Sequence, residues 1–215
     1  MKPLTIKNLF LFSFEKIKIH RVVIFTAVLI FMTIAFAGKV LGNYLDTDIN
    51  TTRGLLYMAT LFGIALIESI VVINVIKQGL VIVRGGTPDL KALLDIPSEW
   101  LRYVIGSTIV NLFVVLGFLF LIIPGFFALA FLIFTLPLIV DKQLNPFEAL
   151  TLSFKTVSKN WKGMMALVLV SGLLNLVGMM FFFVGLFLTI PLTFFMFLRT
   201  YDLLFNRESK PLDCA

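Results

Sequence analysis

Glu68 is the one acid set deep within an apolar run of this chain, and Asn111 and Asn175 are amides inside two other such runs. A carboxylate at the centre of a bilayer costs about 2.5–3.5 kcal/mol on insertion scales, so it persists there only when protonated, bonded or used. With each run centred in the membrane, the three side chains fall within roughly a turn of one depth. Ser107 and Ser171 stand one turn from the two asparagines on the same helix faces. The expected site is a midplane polar cluster of Glu68, Asn111, Asn175, Ser107 and Ser171. Two chemistries are open to it: hydrogen bonds between helices, worth about 0.6 kcal/mol each, or a proton or substrate site in a small transporter.

No other residues combine into an active site. His20 is the single histidine and sits beside Arg21 at a basic hinge, whereas a metal site needs several ligands. Cys214 is the single cysteine, which excludes a disulfide or a cysteine metal cluster within the chain. The chain carries no metal-protease helix motif, nucleophile elbow or phosphate loop, and Gly85-Gly86 reads as a turn. The expectation is therefore no enzyme, no cofactor and no metal. The net charge of +6 does not imply nucleic acid, because the basic residues flank apolar runs instead of forming one basic face.

The elements that must position these residues are membrane helices. A chain that is 60% hydrophobic and 14% charged, with mean hydropathy +1.04, lies outside the soluble range of roughly 45–50% apolar and 25% charged. About 20 apolar residues cross a bilayer as helix. The runs predict an all-α fold of six spans, about 22–42, 54–83, 102–122, 125–140, 163–183 and 186–205. They pair as three hairpins, and Pro124-Gly125 is the expected turn of the second.

Each hairpin is preceded by an expected interfacial helix, about 4–19, 88–96 and 146–160. Pro3, Pro88 and Pro146 stand in their first turns. In the third, Phe147, Leu150, Phe154, Val157 and Trp161 recur at helical steps opposite Thr151, Ser153, Lys155, Ser158 and Lys159. Trp100, Trp161, Lys155 and Lys159 are the expected interfacial anchors. Sixteen of the 18 lysines and arginines fall on one side of the spans, with only Lys39 and Arg53 on the other. The positive-inside rule then puts both termini in the cytoplasm. Ala35-Phe36-Ala37 fits a signal-peptidase site, but a long charged segment precedes it and the apolar run continues past Lys39. Asn50-Thr51-Thr52 matches a glycosylation sequon, which matters only in a eukaryotic secretory setting.

Three local pairs suggest a threefold internal repeat. LFLIIP at 119–124 is similar to LFLTIP at 186–191, Ser107…Asn111-Leu112 to Ser171…Asn175-Leu176, and Ser13-Phe14 to Ser153-Phe154. The IIPGF run at 122–126, Pro137–Asp141, Glu148-Ala149-Leu150, Ser153-Phe154 and Trp161-Lys162 resemble a bacterial family of integral membrane proteins. That family includes the membrane domain fused to some glycerophosphoryl diester phosphodiesterases and many uncharacterised inner-membrane proteins. The resemblance covers mainly 98–205, and the catalytic barrel of the fused members has no counterpart here. It implies an inner-membrane location with a link to lipid or envelope physiology. The expected role is a non-enzymatic inner-membrane protein that organises lipid or supports a membrane protein partner. The alternative is the small transporter.

Overall fold

In lipid a backbone has no hydrogen-bond partner but itself, so each apolar run must close its own bonds as helix. The structure, a computed structural model, describes residues 6–44, 52–180 and 185–206. Among them are α1 (Ile6–Ile19), α2 (Arg21–Tyr44), α3 (Thr52–Val83), α4 (Trp100–Phe120), α5 (Ile122–Leu132), α6 (Thr135–Lys142), α7 (Pro146–Ser158), α8 (Trp161–Met180) and α9 (Leu186–Phe205), with no strand. Six helical stretches are long and apolar enough to cross a membrane: Arg21–Gly38, Gly54–Val83, Trp100–Phe120, Ile123–Lys142, Trp161–Met180 and Leu186–Phe205. The chain is an all-α, multi-pass membrane protein. The sequon at Asn50, the expected turn near 184 and the tail beyond Asn206 lie outside the described residues.

The second hairpin turns three residues earlier than expected. The break is Leu121, extended at φ −169° and ψ 153°, while Pro124 and Gly125 lie inside the first turns of α5. Proline is tolerated there because a helix's first N–H groups have no intrahelical partner. The fourth span is itself broken at Ile133 and Phe134, between α5 and α6. Pro137 has no N–H for the Ile133 carbonyl, and the ladder resumes with Leu138 N–H donating to the Phe134 carbonyl at 3.0 Å.

Over 88–96, where a helix is expected, only the 3-10 turn Lys91–Leu93 forms. Its backbone is taken up by side chains instead. Gln78 Oε1 accepts from Asp89 N–H at 2.9 Å, Asp89 Oδ1 accepts from Lys91 N–H at 2.9 Å, and Asn74 Nδ2 donates to the Leu93 and Asp95 carbonyls at 3.1 and 2.7 Å. Such local competition diverts a short segment from helix.

Packing is uneven along the bundle. In α3 the residues Val71, Ile73, Asn74, Ile76, Leu80, Ile82 and Val83 are buried, while Leu55, Leu56, Met58 and Phe62 nearer its start are exposed. One core joins that second half of α3 to α6, α9, the first half of α8 and the surface helices α1 and α7. Two helix pairs are drawn close by glycine. A Cβ on Gly117 of α4 would stand 3.0 Å from Gly125 Cα, and one on Gly185 would stand 2.6 Å from the Gly178 carbonyl oxygen. Only a residue without a side chain fits either place.

Candidate functional site

The most highly organised polar structure lies where α3, α6 and α9 end. Gly85, at φ +84°, closes α3 and leaves Arg84 at its tip. The Arg84 guanidinium donates from Nη1 and Nη2 to the two oxygens of Asp141, both at 2.7 Å, and from Nε to Asp202 Oδ1 at 3.2 Å. Tyr201 OH donates to Asp141 Oδ2 at 2.9 Å, and Arg199 Nη1 lies 3.6 Å from Asp202 Oδ2. Both aspartates stand in the last turns of their helices, where the dipole disfavours negative charge. The arginines reverse that penalty. The bond to Asp141 is the main reason the Arg84 pKa rises above its ordinary value, against the opposing effect of burial. The flat fork of arginine suits this bidentate grip, which a lysine could not reproduce.

A second set fastens the 85–99 segment to α3. Lys77 Nζ lies 2.6 Å from Glu99 Oε1, and Ser98 Oγ donates to Glu99 Oε2 at 3.0 Å. Burial pushes the Glu99 carboxyl up, but the Lys77 and Ser98 bonds outweigh it and hold the pKa below the usual value. Trp100 Nε1 donates to Ser69 Oγ at 2.8 Å, which seats the start of α4 against the middle of α3. At the α1–α2 joint, burial and then the nearby Lys16 charge push His20 below its ordinary pKa.

Comparison with protein-family models, curated proteins and solved structures finds no match. The site is therefore read from geometry alone.

The five residues expected at the midplane do not form one bonded cluster. No hydrogen bond among the described residues joins Glu68, Asn111 and Asn175. Glu68 adjoins Ser69 and so lies level with the first residue of α4. Asn111 is 11 residues farther along α4, about 16 Å at 1.5 Å per residue. The offset arises because α3 has 32 residues, more than a bilayer needs, and its second half packs inside the protein core.

Asn111 is exposed, and Ser107 Oγ donates back to the Val104 carbonyl at 2.9 Å. Asn175 Nδ2 approaches Thr193 Oγ1 of α9 at 3.5 Å, a link within its own hairpin. Its Oδ1, with the hydroxyls of Ser171 and Thr189, is buried without a hydrogen-bond partner among the described residues. Of the anchors, Trp161, Lys155 and Lys159 are exposed, while Trp100 is half-buried on α3.

On α7 the buried face is Ala149, Ser153 and Val157, and Ser153 Oγ donates to the Phe131 carbonyl at 2.7 Å. The aromatic residues of the expected stripe face outward, with Phe147 71% and Phe154 52% exposed. The same pattern recurs on α1, where Leu9, Ser13 and Ile17 are buried and Phe14 is exposed. Ser13 on α1 and Ala149 and Ser153 on α7 let each helix lie close to its neighbour, which leaves the rings for the outside.

Sequence reasoning passed over Arg84, Asp141, Tyr201, Asp202, Asn74 and the Lys77–Glu99 pair. The available signal was acids at the basic ends of apolar runs, since a lone carboxylate there needs a cation.

Proposed function

We propose that this chain is a non-enzymatic membrane protein of the cell's inner (plasma) membrane whose basic end faces the cytoplasm and engages anionic lipid. Both termini are then cytoplasmic. The single observation that carries this is the outward face of α7. At 100° per residue its exposed residues grade from Phe154 and Phe147 through Ser158 and Thr151 to Lys155 and Glu148, with Lys159 at its C-cap and Trp161 opening α8. An aromatic edge suits the acyl boundary, hydroxyls the carbonyl layer, and lysines the headgroups. Each exposed lysine near an anionic surface adds about 1 kcal/mol.

The rest of the geometry supports a scaffold. Both aspartates of the charged network are occupied by arginines, and the network ties three helices together at one end. The lipid link that the family resemblance implies agrees with this reading. Three surface segments, α1 on α9, 85–99 on α3 and α7 on α5 and α6, each pack on the second span of a hairpin. That arrangement supports a threefold repeat in which α7 is one of three lipid-contacting faces. No hydrogen bond among the described residues joins Glu68 to either asparagine, so the bonding pattern lends the transport reading no support.

The test is lipid composition. The full chain, extracted in native-lipid discs, should carry an excess of anionic phospholipid over the bulk membrane. The Lys155→Glu, Lys159→Glu double variant should lose most of that excess while keeping its thermal midpoint. Equal lipid composition in the two proteins sinks the reading.

A further inference from the structure

Asn111 presents an amide on the exposed face of a span, with no hydrogen-bond partner among the described residues. The homologous-looking position makes the contrast. Asn175 of α8 reaches Thr193 of α9, but the LFLIIP and LFLTIP runs align Thr193 with Phe126, so the second hairpin offers a ring where the third offers a hydroxyl. Phe126 packs edge-on against Phe118, with centroids 5.5 Å apart, and Asn111, two turns before Phe118 on the same side of α4, remains exposed. Lipid tails cannot satisfy an amide, whose four bonding positions go unpaired there.

We propose that the open face of α4 is a self-association surface on which Asn111 bonds Asn111 of a second copy. The occupant is argued from symmetry. All copies insert with the same orientation, so a two-fold axis along the membrane normal sets the two α4 helices parallel and each residue at the depth of its twin. An asparagine is both donor and acceptor, so it is complementary to itself in that position, which a carboxylate or an ammonium would not be. The neighbours fit a helix pair. Leu101, Thr108, Asn111 and Val115 are all exposed and spaced by seven, three and four, the interval of a left-handed seam. Thr108 Oγ1 is turned back to the Val104 carbonyl at 2.8 Å, so it presents little bulk beside the amide. Asn111 would then fix the register of the pair, as a single buried asparagine does in a coiled coil.

The experiment uses the full chain with Cys214→Ser, reconstituted in lipid. Oxidation of the Asn111→Cys variant should give a disulfide-linked dimer, while Leu173→Cys, on the exposed face of α8, should give none. With Asn111 otherwise intact, mass photometry in discs should show dimers that Asn111→Leu weakens by about 3- to 20-fold, the range of one interhelical bond, and that Asn111→Gln retains. The leucine variant alters only a lipid-facing position, so it should fold, and the cysteine arm stands even if it does not. Equal cross-linking at both cysteines, or a monomer at every concentration, overturns the proposal.

Discussion

At the residue scale, stability is concentrated in a few charged side chains that an apolar chain must place with care. Arg84 shields two aspartates at helix ends that would otherwise repel each other and the dipoles behind them. Breaking a buried pair from one side costs about 3–5 kcal/mol, and Arg84 is a third exposed, so Arg84→Gln should cost about 2–3 kcal/mol in thermal or denaturant unfolding. Arg84→Leu with Asp141→Leu should recover much of that loss, and strict additivity of the two would refute the coupling. Glu99 makes a pH-dependent contribution. Its folded pKa lies below the ordinary 4.5, so the folded state binds its proton more weakly than the unfolded chain does. The contribution is then complete above pH 4.5 and fades as pH falls below it. Glu99→Gln should be less stable than the parent at pH 7 and converge with it in acid. A difference that stayed constant down to pH 3 would remove Lys77 from the account. These residues were hard to read in the sequence because Arg84 looked like part of a turn and Asp202 like the polar end of a span. Their pairing needs three helices, 57 and 118 residues apart, to finish at one place.

At the element scale, helices were legible and their ends were not. Apolar runs marked the six helices that are long and apolar enough to cross a membrane, because hydrocarbon enforces helix whatever the side chain. The turn at Leu121 carries no glycine or proline of its own, and the 88–96 segment is governed by Asn74 and Gln78 on a different helix. Both sides of α7 are apolar enough for a membrane, so the residue pattern alone does not say which of them meets protein. What distinguishes them is size, with Ala149 and Ser153 allowing close approach and Phe147 not. Glycine separates the cases sharply. Gly185→Ala would press a methyl onto the Gly178 backbone, which cannot rotate away, whereas nothing lies within 4 Å of the same atom on Gly172. The first should cost about 1–3 kcal/mol as overpacking. Gly172→Ala should gain up to about 1 kcal/mol from helix propensity. Matching thermal midpoints in the two variants would mean that α8 and α9 can spread at no cost.

At the scale of the whole molecule, one end of the bundle is packed and charged and the other is apolar and loosely covered. The two ends do different work. By the order of the spans 16 of the 18 basic residues fall on one side, and the core with its charged network is built where α3, α6 and α9 end. A bilayer holds about 20 residues of helix, and the 32-residue α3 is longer than that, with its second half packed in the protein core. On the proposed reading the inserted orientation follows the charge bias, since moving lysines and arginines across the membrane is disfavoured. In intact cells a membrane-impermeant thiol reagent should therefore label an Asp46→Cys variant in the Cys214→Ser background, because that position joins the first two spans on the poorly charged side. The Ser158→Cys variant, exposed on α7, should be labelled only after permeabilisation. Labelling in the reverse order would turn the lysine-bearing face of α7 away from the cytoplasm and its anionic lipids. The charged network would survive that result as a fastener, but the headgroup role assigned to Lys155 and Lys159 would not.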